Sequence, residues 1–185
     1  MAFTALDVKK LREQTGCGMM DCKKALTESD GDFDKAVEYL REKGLAAAAK
    51  KAGRIAAEGM VYAAADVANK VGVVIEVNAE TDFVAKNDSF QTFVKEVADV
   101  VMAQNPADVE ALMACKLGEQ TVEAALQEKI LVIGENIKIR RFARFEGVCS
   151  AYVHGGGTHG GLVQFDNDDA NGATAEFTGG GKKKR

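Results

Sequence analysis

His154-Gly155-Gly156-Gly157 follows the pattern of the oxyanion loop that some hydrolases place beside a nucleophilic serine. That loop works only with a nucleophile elbow of the form G-x-S-x-G. The serines are Ser29, Ser89 and Ser150, and none sits in such a setting. The glycine runs are not followed by G-K-[ST], so the backbone cradle of a phosphate-binding loop is not expected either. The four cysteines, Cys17, Cys22, Cys115 and Cys149, are scattered. Cys17 and Cys22 lack the close spacing of zinc ligands and no histidine lies near them, so neither a metal site nor a bound cofactor is expected. Reduced thiols are the default for a chain long enough to fold without cross-links. What remains is an acidic residue followed directly by an aromatic one, Asp82-Phe83.

That pair closes the stretch Val71 to Asp88, read VGVVIEVNAETDFVAKND. Val71, Val73, Val74, Ile75 and Val77 form a short β-branched run, which predicts a strand covered on both faces. The run stops at Asn78-Ala79-Glu80-Thr81. Beyond the pair, Asp88 with Gln91 three positions later reads as a capping box. Phe90, Phe93, Val94, Val97, Val100 and Val101 then recur at helical spacing. Two readings of Phe83 are open at this point. It is a core plug under the turn, or it is a projecting tip, one charge and one hydrophobic anchor held between rigid elements.

The rest of the chain must position that stretch. Residues 4 to 43 predict three short helices. Thr4 caps the first, which carries Leu6, Val8 and Leu11, and Thr15-Gly16 ends it. Met19 to Leu26 is the second. Asp32 caps the third, with Phe33, Ala36, Val37 and Leu40 inward and Gly44 closing it. Met19 and Met20 point about 100° apart, so one is expected inside and one outside. Leu45 to Ala57 is an alanine-rich basic helical linker. Gly59 to Asp66 reads as a strand pairing antiparallel with the Val71 strand. Asp108 to Cys115 and Glu119 to Leu131 are helical. Ile137, Ile139 and Phe142, with Phe145 beyond, suggest a strand whose polar face shows Lys138 and Arg140. The basic cluster that includes Arg141 and Arg144 reads as a solvated sheet face. Val148 to His154 and Leu162 to Phe165 predict a last hairpin, weakened by Gly161.

The 185 residues hold one ordinary domain plus a small one, and the 46% hydrophobic and 28% charged content are those of a globular protein. Net charge is −4, and Lys182 to Arg185 carry four of the 24 basic residues, leaving 20 against 28 acidic ones. An acidic body is a poor non-specific binder of nucleic acid. No apolar run approaches the length of a membrane span and no secretory signal is read at the N-terminus, so a cytoplasmic chain without membrane contact is expected.

TDFVAKND after a hydrophobic strand resembles the signature of the elongation factor Ts family, the nucleotide-exchange factors for elongation factor Tu. LREQTGCGMMDCKKAL, IGENIKIRRFARFEG and the strands around YVHGGG agree with it, in the family's order from residue 4 to about 166. The resemblance implies an α+β fold. Residues 1–54 would form a three-helix ubiquitin-associated-like domain and linker helix. Residues 55–147 would form a core subdomain of antiparallel strands with packed helices, and 148–169 a partial second one. Residues 170–185 would be a disordered glycine-rich basic tail. It further implies that Thr81, Asp82, Phe83 and Val84 dislodge Mg²⁺ from the partner. Arg12, Met19, Met20, Lys23, Ile133, Gly134 and His154 would touch that partner, elongation factor Tu, in its GDP-bound and nucleotide-free forms. No direct nucleic-acid contact and no covalent chemistry are implied, and a homodimer is left open. A plain adaptor, whose helical domain grips a partner helix, is the rival class; accelerated release of GDP separates the two. The departures from the family pattern are His159-Gly160-Gly161 in the last strand, where a branched side chain is usual, and the sequence after Asp169.

Overall fold

A computed structural model of the chain describes residues 3–165. The tail expected to be disordered, and the end of the expected second subdomain, lie outside the described residues. The architecture is α+β, and the chain divides into two units, residues 1–55 with 123–136 and residues 56–122 with 137–185.

The first unit is helical. Helices α1 (Ala5–Thr15), α2 (Met19–Glu28) and α3 (Phe33–Lys51) are joined by α7 (Val122–Ile133), contributed from the middle of the chain. Thr4 and Asp7 close a capping box at the start of α1, and Gly16 ends it at φ +67°. The core holds Val8, Leu11, Cys17, Cys22, Ala25, Leu26, Ala36 and Leu40, with Phe33, Val37 and Leu131 packed against it. Three expectations are corrected here. Leu6 is 67% exposed and is no core contact, and both Met19 and Met20 face outward. Gly44 does not close α3, because the alanine-rich segment after it continues the same helix to Lys51. Gly44 is buried instead, and a Cβ there would lie 3.4 Å from the Gln127 carbonyl oxygen. Gly44 therefore faces the backbone of α7, at a distance that a Cβ would just fill.

The second unit is built on a three-stranded antiparallel sheet in the order β1 (Glu58–Asp66), β2 (Val71–Ala79), β5 (Lys138–Glu146). β2 is central, which is why its sequence is almost continuously apolar. Val73, Ile75 and Val77 are fully covered. Helix α5 (Asp88–Gln104) packs against β1 and β2 through Phe90, Phe93, Val94, Val97, Ala98 and Val101. The alternate positions of β2 face elsewhere. A Cβ on Gly72 would meet Cys149 at 2.7 Å and Leu162 at 2.9 Å, both on the hairpin of β6 (Val148–His154) and β7 (His159–Phe165). On the same face a Cβ on Gly160 would meet Val61 at 2.6 Å. The glycines of the last strand are thus sites of close approach as well as interruptions, and β7 runs unbroken through Gly161. A short pair, β3 (Lys116–Leu117) with β4 (Gln120–Thr121), follows helix α6 (Val109–Ala114) and delays the next helix to Val122.

Helix α5 is capped by Asn87 rather than by Asp88. The Asn87 side chain accepts from Ser89 N at 2.9 Å and from Phe90 N at 3.2 Å, while Gln91 turns away to donate to the Ala85 carbonyl at 3.0 Å. Asn87→Ala is expected to cost about 1 kcal/mol, read as a lower urea midpoint with unchanged slope. Asn105 ends the helix at φ +48°.

Candidate functional site

The end of β2 delivers the chain to a single helical turn, α4 (Asp82–Ala85). Thr81 caps it, its hydroxyl accepting from Val84 N at 3.4 Å. Three side chains leave this turn in different directions. Val84 goes inward and is buried, anchoring the turn on the sheet unit. Phe83 goes outward and is 80% exposed. An aromatic ring on a turn anchored on both sides is not a core plug, so the core-plug reading of Phe83 falls. Asp82 is exposed and accepts a hydrogen bond from Lys86 Nζ at 2.7 Å, one turn on. That bond and the ammonium charge hold the Asp82 carboxyl below its ordinary range. Lys86 was not singled out in the sequence, although its i,i+4 spacing from Asp82 is the signal that finds it.

The sign of that shift gives a test. A carboxylate whose pKa is depressed in the folded state keeps its charge to lower pH, and its contribution is lost as pH falls through the folded value. Lys86→Met is expected to raise the Asp82 titration toward the ordinary aspartate value, followed by carboxyl NMR. The overall melting temperature at neutral pH should hardly move, because the pair is solvent-exposed.

Beneath the turn, β2 and β5 share a bulge between Glu76 and Val77, with Arg140 as the extra residue. It brings two guanidinium groups to one carboxylate: Arg140 Nη1 lies 2.9 Å and Arg141 Nε 2.7 Å from Glu76. Burial pushes the Glu76 carboxyl up, but the Arg141 and Arg140 hydrogen bonds outweigh it and leave the group below its usual range. The expected solvated basic face is therefore partly neutralised. Arg144 also donates, to the Met102 carbonyl at 3.1 Å.

In the helical unit, Arg12, Met19, Met20 and Lys23 are all exposed. Met19 and Lys23 lie four apart on α2, and Met20 and Lys23 three apart, so the three share one side of that helix. Ile133 and Gly134 end α7 in the same unit, with Gly134 at φ +85° donating to the Ile130 carbonyl. His154 ends β6 in the other unit, exposed. Among the described residues no group of three or more His, Cys, Asp or Glu side chains could hold a metal ion, and no helix is long and apolar enough to cross a membrane.

The chain is thus an α+β protein of a helical unit and a sheet unit, the latter carrying an aromatic on an outward-facing, capped turn. The family model described as Elongation factor TS matches residues 80–178. The elongation factor Ts of Trichlorobacter lovleyi is 54% identical over 182 residues, covering 95% of this chain and 58% of the relative. That of Clostridium perfringens is 55% identical, covering 88% of this chain and 55% of the relative. That of Cereibacter sphaeroides is 56% identical, covering 86% and 53%. The chain belongs to the elongation factor Ts family. It spans a little over half the length of these curated relatives.

Proposed function

We propose that the chain promotes release of GDP from elongation factor Tu by binding to it, with the Thr81–Val84 turn dislodging the Mg²⁺ that Tu holds with its nucleotide. The observation that carries this reading is the exposure of Phe83 on a turn whose other side chains tie it down. A rigid aromatic enters a partner at little conformational cost. Phe83 acts as the wedge, and Asp82 competes for the hydrogen bonds and water around the metal. Loss of Mg²⁺ leaves the phosphate charge poorly neutralised, so GDP departs faster. No covalent bond is made or broken. By linkage, the factor binds nucleotide-free Tu more tightly than GDP-bound Tu, by the same factor as it weakens GDP.

In this reading Arg12, Met19, Met20 and Lys23 dock the helical unit, methionine supplying adaptable apolar contact, while Ile133, Gly134 and His154 add contacts elsewhere. The acidic body makes no direct contact with nucleic acid, and the protein acts in the cytoplasm. The deciding experiment follows fluorescent GDP leaving Tu on addition of the chain. Acceleration supports exchange, and binding without acceleration supports an adaptor. Removing residues 1–54 is a poor test of docking, because α7 shares their unit and would lose its packing. Met20→Ala is cleaner. It is expected to weaken binding to Tu by about 1–2 kcal/mol with an unchanged melting curve, measured by calorimetric titration and thermal unfolding.

A further inference from the structure

The hairpin of β6 and β7 brings together on its outer face two histidines, of which the exchange reading uses only His154. His154 and His159 are direct cross-strand partners, so their side chains leave the same face. Their ring centroids lie 6.5 Å apart. Each ring is held at Nδ1 by a hydroxyl. Tyr152 Oη lies 3.2 Å from His154 Nδ1, and the two rings stack with centroids 6.1 Å apart. Thr158 Oγ1 lies 3.1 Å from His159 Nδ1. The Thr158 hydroxyl gives its only proton to the His154 carbonyl, at 3.3 Å. Nδ1 of each ring is thus engaged by a hydroxyl, and Nε2 is the ring nitrogen through which either could meet an ion. The turn between the histidines is fixed as well. Gly155, Gly156 and Gly157 all have positive φ, and Gly157 is buried where a Cβ would meet Met60 at 2.7 Å.

We infer that His154 and His159 form a two-imidazole chelate for a divalent transition ion such as Zn²⁺, Cu²⁺ or Ni²⁺, with water completing its coordination. Two neutral imidazoles suit these ions and not Mg²⁺. Both rings are exposed on one face, so an ion held between them at the zinc–nitrogen distance of about 2.0–2.1 Å keeps contact with water. A hydrogen bond at the far nitrogen is the usual outer support of a ligating histidine, and both rings have one. The spacing H-x4-H alone does not reveal the site, because only the hairpin register makes the two rings neighbours. The site does not depend on elongation factor Tu and is tested on the chain alone.

These are the only two histidines in the sequence, so their ring-proton NMR signals report the site without ambiguity. Zinc chloride is titrated into the full chain, with magnesium chloride as the comparison and calorimetry for affinity. Both signals are expected to shift together with one equivalent of zinc and not with magnesium. His154→Asn and His159→Asn are each expected to raise the Kd by about tenfold or more. The proposal is overturned if zinc moves neither signal or only one, or if the substituted chains bind zinc as tightly as the unsubstituted chain, which would place the ion elsewhere.

Discussion

Phe83→Ala is expected to slow the release of GDP from elongation factor Tu while leaving the fold intact. The ring is 80% exposed, so its removal takes little from the core, and surface substitutions commonly change stability by no more than about 0.5 kcal/mol. The partner loses more. Truncating an anchor residue costs about 1–3 kcal/mol of interaction, which is roughly five- to a hundredfold in rate if the contact is made on the way to metal loss. Thermal unfolding and fluorescent-GDP release on the same preparation check both halves. A correctly folded Phe83→Ala protein that releases GDP at the unsubstituted rate would remove the wedge from the mechanism.

Phe93→Ala is expected to do the opposite. Ten residues on, Phe93 is fully buried between α5 and the sheet. Its loss leaves a cavity as well as forfeiting transfer free energy, about 3–5 kcal/mol in all. That is a large part of the stability of an ordinary domain. Chemical denaturation should show the midpoint falling sharply, and any exchange activity should fall with the folded fraction rather than below it. The two substitutions would thus separate a residue proposed to act on a partner from one that holds the platform.

The sequence marks only one of the two. Periodicity places Phe93, because Phe90, Val94 and Val97 share its helical face. Phe83 belongs to no periodic run, since α4 is a single turn, so its exposure is decided by how Thr81 and Val84 fold that turn back. The Val71 strand, its hairpin partner and the Asp88 helix were legible because each is long and strongly patterned. Gly44 was misread as a stop because the helix runs on through it, packed against Gln127, more than eighty residues away. Asp88 was misread as a cap because Asn87, one residue earlier, does the same chemistry. The outward turn of Leu6 follows from how few inward positions three short helices can offer. The pairing of Lys86 with Asp82 is legible as an i,i+4 spacing, whereas the clasp of Arg140 and Arg141 on Glu76 needs the strand order.

The bulge on β5 has a bearing on how this chain tolerates changes in length. Below it, Ile139 pairs with Val77, and above it, Phe142 pairs with Ile75. The inward positions are therefore three residues apart where a flat strand would have them two apart. Deleting one residue from a strand ordinarily turns every side chain beyond it inside out. Here, removing one arginine of the adjacent pair restores strict alternation. Ile139 and Phe142 stay inward, and Glu76 keeps one guanidinium. An in-frame loss of a single codon, ruinous at Ala143, is geometrically silent for the core at Arg140 or Arg141.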